Sequence, residues 1–246
     1  MAAKNLLLLD LDNTLWDFDG NAEEALAELF HRHKLHVSTS HSVHHFIETY
    51  RQINKAYWKR YEAGEIHKDT LRTGRFIDTF RELGIPDEEH PENVWDEYLE
   101  ICPVMTRMMP GAISFMEDMH SQFKIGILTN GFEHTQRIKI KACGLEPYID
   151  FMLTSEAAGM AKPEKAIFDL AIAEFVGKHG AISNVFYAGD TWDTDVRGGI
   201  GAGIPTFWYN HAVLALPDDE CSKHPLFLGS HDSLAGLGGA LLEQLG

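Results

Sequence analysis

Leu6-Leu7-Leu8-Leu9-Asp10-Leu11-Asp12-Asn13-Thr14-Leu15 is the stretch that decides the reading of this chain. Its leucines form a short continuous apolar run that stops at an acid, the pattern of a strand buried on both faces. Residues two apart near a strand end point to the same side, so Asp10 and Asp12 can face one ligand. Two carboxylates so close repel, and one of them would take up a proton unless a cation intervenes. Mg²⁺ suits that place, because it is held by few carboxylates, keeps waters and accepts a phosphate oxygen. A polar turn with Asp12 capping the next helix would use the same letters.

Working outward, similar apolar runs recur at Phe123–Leu128, Phe151–Leu153, Val185–Ala188 and Thr206–Trp208. Helical patterns separate them at Phe132–Ala142, Pro163–Val176 and Asp193–Ala202. Strands alternating with helices predict an α/β fold, a doubly wound parallel sheet with helices on both faces. Residues 17–105 break the alternation. There Ser40 is expected to cap a helix running to Gly64, with Phe46, Ile47, Tyr50, Ile53, Tyr57 and Tyr61 on one face. Leu71, Ile77, Phe80 and Leu83 continue the helical spacing until Gly84 and Pro86 stop it. The expected division is a core of residues 1–16 and 106–246 with an all-α cap, 17–105, inserted after the first strand. An insertion at the carboxyl end of that strand sits where open α/β sheets bind ligands, which suggests a lid.

Composition narrows the function. The chain has 246 residues, 21 Lys plus Arg against 37 Asp plus Glu, and a formal charge of −16. So acidic a surface repels polyphosphate and anionic lipid, which argues against nucleic-acid polymers and membranes as partners. A small phosphate held by a metal and a local cation remains compatible. The three cysteines show no CxxC spacing and suit a reducing compartment, and no apolar run approaches the roughly 20 residues that span a bilayer. A cytoplasmic protein without a signal peptide is the expectation. Six of the 14 histidines fall between His31 and His45 but lack an H-E-x-x-H pattern, and read as a surface face. Gly198–Gly203 does not match the dinucleotide fingerprint, and no P-loop pattern occurs.

Three further segments carry chemistry. Thr129-Asn130-Gly131 follows the second apolar run, and a hydroxyl with successive N–H groups there suits phosphate oxygens. In Ala161-Lys162-Pro163-Glu164, Pro163 reads as the first residue of a helix, placing Lys162 beside the sheet's ligand edge. Gly189-Asp190-Thr191-Trp192-Asp193-Thr194-Asp195 again sets acids after a strand. Asp190 is the nearer metal ligand, Asp195 an acid orienting water or Lys162, and Asp193 a helix N-terminal charge.

Together these motifs resemble the haloacid-dehalogenase superfamily of aspartate-nucleophile phosphohydrolases. Tyr61–Ile66, Thr73–Phe76, Pro110–Ala112, Lys124–Phe132 and Gly198–Gly203 are similar to its pyrimidine nucleoside 5′-monophosphatase branch, the house-cleaning nucleotidases. The resemblance implies that Asp10 attacks phosphorus and that Asp12 protonates the leaving oxygen, then activates water. It implies that Thr129 and Lys162 bind the phosphoryl group. It implies Mg²⁺ on Asp10, the Asp12 carbonyl and Asp190. Asp12 favours phosphatase over dehalogenase chemistry. Asn130 joins the substrate-binding set. In the cap, Tyr50, Asn54, Tyr57, Trp58, Tyr61, Arg72 and Arg75 could meet a nucleobase, Arg75 foremost.

The expected substrate is thus a small phosphomonoester, most simply a pyrimidine nucleoside monophosphate. A sugar-phosphate or phosphoglycolate phosphatase and a phosphomutase are the alternatives within the superfamily. A non-catalytic phosphate-binding scaffold and a receiver-type signalling domain belong to other classes. Oligomeric state is not legible.

Overall fold

A computed structural model describes residues 4–245. The chain divides into two compact units, one made of the segments up to Phe18 and from Thr106 onward, the other of Asp19–Met105.

The first unit is built on a parallel sheet of six strands: β1 Lys4–Leu9, β2 Lys124–Thr129, β3 Phe151–Thr154, β4 Ile182–Gly189, β5 Thr206–Tyr209 and β6 Phe227–His231, in the order β3-β2-β1-β4-β5-β6. β1 sits centrally, with Leu6–Leu9 paired to β2 on one side and to β4 on the other. All four of those leucines are fully buried, which is why the run carries no polar alternation. Chain order reverses between β1 and β4. That switch point opens a crevice at the strands' carboxyl ends, where Asp10 and Asp190 follow their strands.

Helices α6 Ala112–Gln122, α7 Glu133–Ala142, α8 Ser155–Ala158, α9 Lys165–His179, α10 Arg197–Gly201 and α11 Leu234–Glu243 belong to this unit. α9 covers one face through Ile167, Phe168, Ala171 and Phe175, which pack against Leu6, Leu8, Leu128 and Tyr187. Gly198 and Gly199 of the Gly198–Gly203 segment serve packing here. A Cβ on Gly199 would stand 2.3 Å from Thr206 Oγ1, and one on Gly198 2.9 Å from the Phe168 ring.

Several boundaries differ from the sequence reading. β6, α6 and α11 were not anticipated. Pro163 lies before α9, whose N-cap is Glu164, and the short α8 intervenes between β3 and Lys162. Asp193–Ala202 is not one helix. Trp192–Val196 forms a wider π-type turn, and α10 follows it.

The second unit is helical, with α1 Phe18–Arg32 (whose first residue closes the preceding segment), α2 Leu35–Ser38, α3 Val43–Glu62, α4 Lys68–Glu82 and α5 Val94–Ile101. Ser42, not Ser40, caps α3, its side chain accepting from the His45 N–H. Phe46, Tyr50, Phe76, Phe80 and Tyr98 are buried and meet ring to ring, with centroids 4.9–6.4 Å apart among the neighbouring pairs. Gly74 lets α3 and α4 approach, since a Cβ there would lie 2.6 Å from the Tyr57 ring. Among the described residues no helix is long and apolar enough to cross a membrane.

Candidate active site

The carboxyl ends of β1, β2 and β4 bring together side chains distant in sequence, Asp10 and Lys162 being 152 residues apart and Asp190 and Asp195 further still. Asp10, 6% exposed, accepts a 2.7 Å hydrogen bond from Lys162 Nζ through Oδ1, while its Oδ2 accepts from Thr14 Oγ1 at 3.3 Å. Lys162 is itself 3% exposed. It donates also to Asp195 Oδ1 at 2.7 Å and to Tyr187 Oη at 3.0 Å. Tyr187 Oη donates to the same Asp195 oxygen at 2.7 Å. The second oxygen of Asp195 accepts from the Thr191 N–H at 2.9 Å, so both oxygens of this carboxylate are engaged. Gly189 makes the approach possible, because a Cβ there would fall 2.4 Å from the Asp195 carboxyl carbon.

Asp10, Asp190 and Asp195 offer carboxylate oxygens within 4.8 Å of one another. Burial pushes the Asp10 carboxyl up to about 7, with Asp195 and Asp12 adding to the rise and Lys162 opposing it. Burial likewise lifts Asp190 well above the usual carboxylate range, reinforced by Asp10 and Asp195. For Lys162 burial works against the charge, yet Asp10 and Asp195 prevail and hold its pKa well above the ordinary value. One lysine among three acids, two buried and Asp190 half-buried, leaves negative charge uncompensated, and an oxygen-only donor set of this kind fits a hard divalent cation. Both Asp195 oxygens are engaged by Lys162, Tyr187 and Thr191, and both Asp10 oxygens by Lys162 and Thr14.

Thr129, 1% exposed at the end of β2, accepts from the Gly131 N–H at 3.1 Å and from Gln136 Nε2 at 2.8 Å. Asn130 turns its side chain to the Lys162 main chain. Its Oδ1 accepts from Lys162 N at 2.9 Å and its Nδ2 donates to Lys162 O at 3.1 Å. That clamp fixes where the lysine stem begins. Asp12 lies two residues past Asp10, and its carboxylate goes to Lys139 and Gln136 rather than into the acidic trio. Asp193 is an exposed partner of Arg197 at 3.3 Å.

Arg75 belongs to the other unit. It is 5% exposed, donates from Nη1 to Asn54 Oδ1 at 2.8 Å, and lies 5.3–5.7 Å from the ring centroids of Tyr98, Tyr50 and Phe76. Of the other residues considered for a base, Tyr57 donates to Asp78 at 2.6 Å, Arg72 pairs with Asp96, and Trp58 meets Tyr61 edge-on at 5.8 Å. The rings of His41 and His45 meet at a tilt, centroids 4.4 Å apart, on an exposed face.

Sequence reasoning did not find Tyr187, Gln136 or Lys139. Tyr187 was hidden in the apolar run Val185–Ala188, and its hydroxyl was the available signal. Gln136 and Lys139 stand in a polar helix that reads as a solvated face.

The chain matches the family model for haloacid dehalogenase-like hydrolases over residues 4–203 and belongs to that family. It is a hydrolase. Among curated relatives it is 35% identical to pyrimidine 5′-nucleotidase YjjG of Escherichia coli over 204 residues, 83% of this chain and 85% of that one. It is 28% identical to pyrimidine 5′-nucleotidase PynA of Streptococcus pneumoniae over 205 residues, 83% of each. In fold it is similar to the magnesium-bound crystal structure of the putative HAD-hydrolase YfnB from Bacillus subtilis, with a TM-score of 0.80 and 24% identity across 98% of this chain and all of that one.

Proposed function

We propose that this hydrolase is a Mg²⁺-dependent phosphomonoesterase that works through an aspartyl phosphate on Asp10, with pyrimidine nucleoside 5′-monophosphates as its substrates. The observation that carries the reading is the cluster of Asp10, Asp190 and Asp195, two of them buried and bonded to Lys162, with a second carboxylate, Asp12, two residues from the nucleophile. The kinship to two pyrimidine 5′-nucleotidases supports the substrate class.

Asp10 and Asp190 would hold the ion, which when bound supplies positive charge to the phosphoryl oxygens and to the crowded carboxylates. Asp10 attacks phosphorus, and the bond from phosphorus to the ester oxygen breaks. A covalent intermediate divides one slow displacement into two easier ones. Asp12 gives a proton to the departing oxygen, then takes one from the water that cleaves the acyl phosphate; such transfers are worth roughly 10²–10⁴-fold. Lys162, fixed by Asp195, Tyr187 and the Asn130 clamp, balances the Asp10 carboxylate before attack and a phosphoryl oxygen after it. The Thr129 hydroxyl, oriented by Gln136 and the Gly131 N–H, donates to another of those oxygens. Phosphate-monoester hydrolysis is among the slowest uncatalysed reactions, so several contributions of this kind are required.

Purified protein assayed against nucleoside monophosphates and sugar phosphates, with and without Mg²⁺, tests the proposal. The highest kcat/KM should fall on a pyrimidine monophosphate and vanish with chelator. Preference for a sugar phosphate would overturn the substrate class, and rearranged sugar phosphate in place of free phosphate would mark a mutase.

A further inference from the structure

Helix α7 carries two buried polar side chains on one face, three residues apart, and both end on the same carboxylate. Lys139 Nζ donates to Asp12 Oδ1 at 2.6 Å, and Gln136 Nε2 donates to Asp12 Oδ2 at 2.9 Å. Gln136 is fully buried and Lys139 is 4% exposed, so these are not solvated surface groups. The same Gln136 Nε2 reaches Thr129 Oγ1 at 2.8 Å, and thus ties Asp12 to the phosphate-binding threonine through one nitrogen. A carboxylate accepts only, which forces the amide nitrogen rather than its oxygen toward Asp12.

Two further features build this arrangement. Gly131 leaves room for the amide: a Cβ there would stand 2.2 Å from Gln136 Nε2. Trp16 and Phe18, from the segment after β1, lie under the lysine head, with ring centroids 4.3 and 5.5 Å from Nζ. Aromatic faces attract an ammonium group and exclude water around it, so the lysine has little freedom to swing away. Neither side chain touches the Asp10, Asp190 and Asp195 group in any hydrogen bond or ion pair.

We infer that Gln136 and Lys139 are positioning residues that fix the Asp12 carboxylate and register it against Thr129, so that this group, once protonated, stands where the leaving oxygen departs. The inference rests on the role given to Asp12 above. Misplacing a reacting group by about 1 Å costs on the order of 10²-fold, whereas substrate affinity need not change. A loss through positioning therefore appears in kcat, and only where the leaving group needs a proton.

The test compares Lys139→Met and Gln136→Leu with Asp12→Asn in the intact protein with Mg²⁺. Two leaving groups are used: the alcohol of a nucleoside monophosphate, which needs protonation, and p-nitrophenolate, which needs little. With the nucleotide, each α7 variant should lose roughly 10–100-fold in kcat, with KM within about 3-fold for Lys139→Met. For Lys139→Met the pre-steady-state burst of p-nitrophenol should stay within about 3-fold of wild type, whereas Gln136→Leu, which also releases the Thr129 hydroxyl, should slow both leaving groups and the nucleotide more. In an Asp12→Asn background Lys139→Met should cost nothing more. Equal losses for both leaving groups from Lys139→Met, or an additive loss from it in that background, would overturn the inference. Should Asp12→Asn itself retain nucleotide hydrolysis, the proton-transfer role fails instead, and the two failures are separable. If Lys139→Met does not fold, Lys139→Gln, which keeps a polar tip without the charge, is held to the same outcomes.

Discussion

Lys162 and Arg75 are buried cations, one from each unit, and the two are surrounded in opposite ways. Lys162 in the sheet unit meets Asp10, Asp195 and the Tyr187 hydroxyl within 3.0 Å. Arg75 in the helical unit meets a neutral amide and three aromatic rings. A lysine packed among carboxylates is a group whose charge is balanced locally and can be handed to a phosphoryl oxygen. A guanidinium caged by rings fills volume with its stem and flat face and holds α3, α4 and α5 through Asn54, Tyr50, Phe76 and Tyr98. Burial alone does not mark a reactive site; the chemistry of the neighbours does.

The sharpest way to break that contrast is to remove each cation. Lys162→Met leaves Asp10 and Asp195 facing each other without a counter-ion. It should lower kcat by on the order of 10²–10³-fold, read in a steady-state phosphatase assay. Arg75→Met keeps an apolar chain among the rings and strands only the Asn54 amide. It should cost about 1–2 kcal/mol in denaturant unfolding and change kcat on an aryl phosphate by less than about 3-fold. A loss from Arg75→Met as deep as that from Lys162→Met would erase the distinction.

The acidic side of the contrast has a pH signature. The Asp10 carboxyl sits near 7 in the folded metal-free protein against 3.8 in the unfolded chain. Between those values the folded state binds the extra proton, so stability falls as pH rises through that window. Asp10→Asn resembles the protonated acid. Its melting temperature in chelator should exceed that of wild type at pH 8 by several degrees and approach it at pH 5, as checked by calorimetry. A gap independent of pH would contradict the crowding of the acids.

Smaller effects sharpen the picture. Gly131→Ala pushes on the far end of a flexible side chain, so the protein should fold normally while kcat drops up to about 10-fold as the Gln136 amide shifts. Gly74→Ala meets the ring of Tyr57 instead and should cost about 1–3 kcal/mol in stability with kcat on an aryl phosphate unchanged.

Much of the sheet was legible because burial on both faces leaves an unbroken apolar run, as at Leu6–Leu9 and Ile125–Leu128. β6 was not, since Phe227–His231 is half-exposed at the edge and contains Gly229 and Ser230, with no alternation to read. At the site, acids directly after strands announced themselves, and Lys162 was visible through its proline. Gln136 and Lys139 were hidden because their burial comes from Trp16, Phe18 and Asp12, more than 100 residues away in sequence. A helix written Glu133-His134-Thr135-Gln136-Arg137-Ile138-Lys139 shows no apolar face that would betray it.

The account stands on a covalent bond to one aspartate, and trapping that bond is its most direct measurement. Asp12→Asn protein mixed with p-nitrophenyl phosphate and Mg²⁺, acid-quenched within one turnover and mapped by peptide mass spectrometry, should carry a hydroxylamine-labile phosphoryl group on the Asp10 side chain. Release of p-nitrophenol with Asp10 unmodified, or with the phosphoryl group on another residue, would contradict the account.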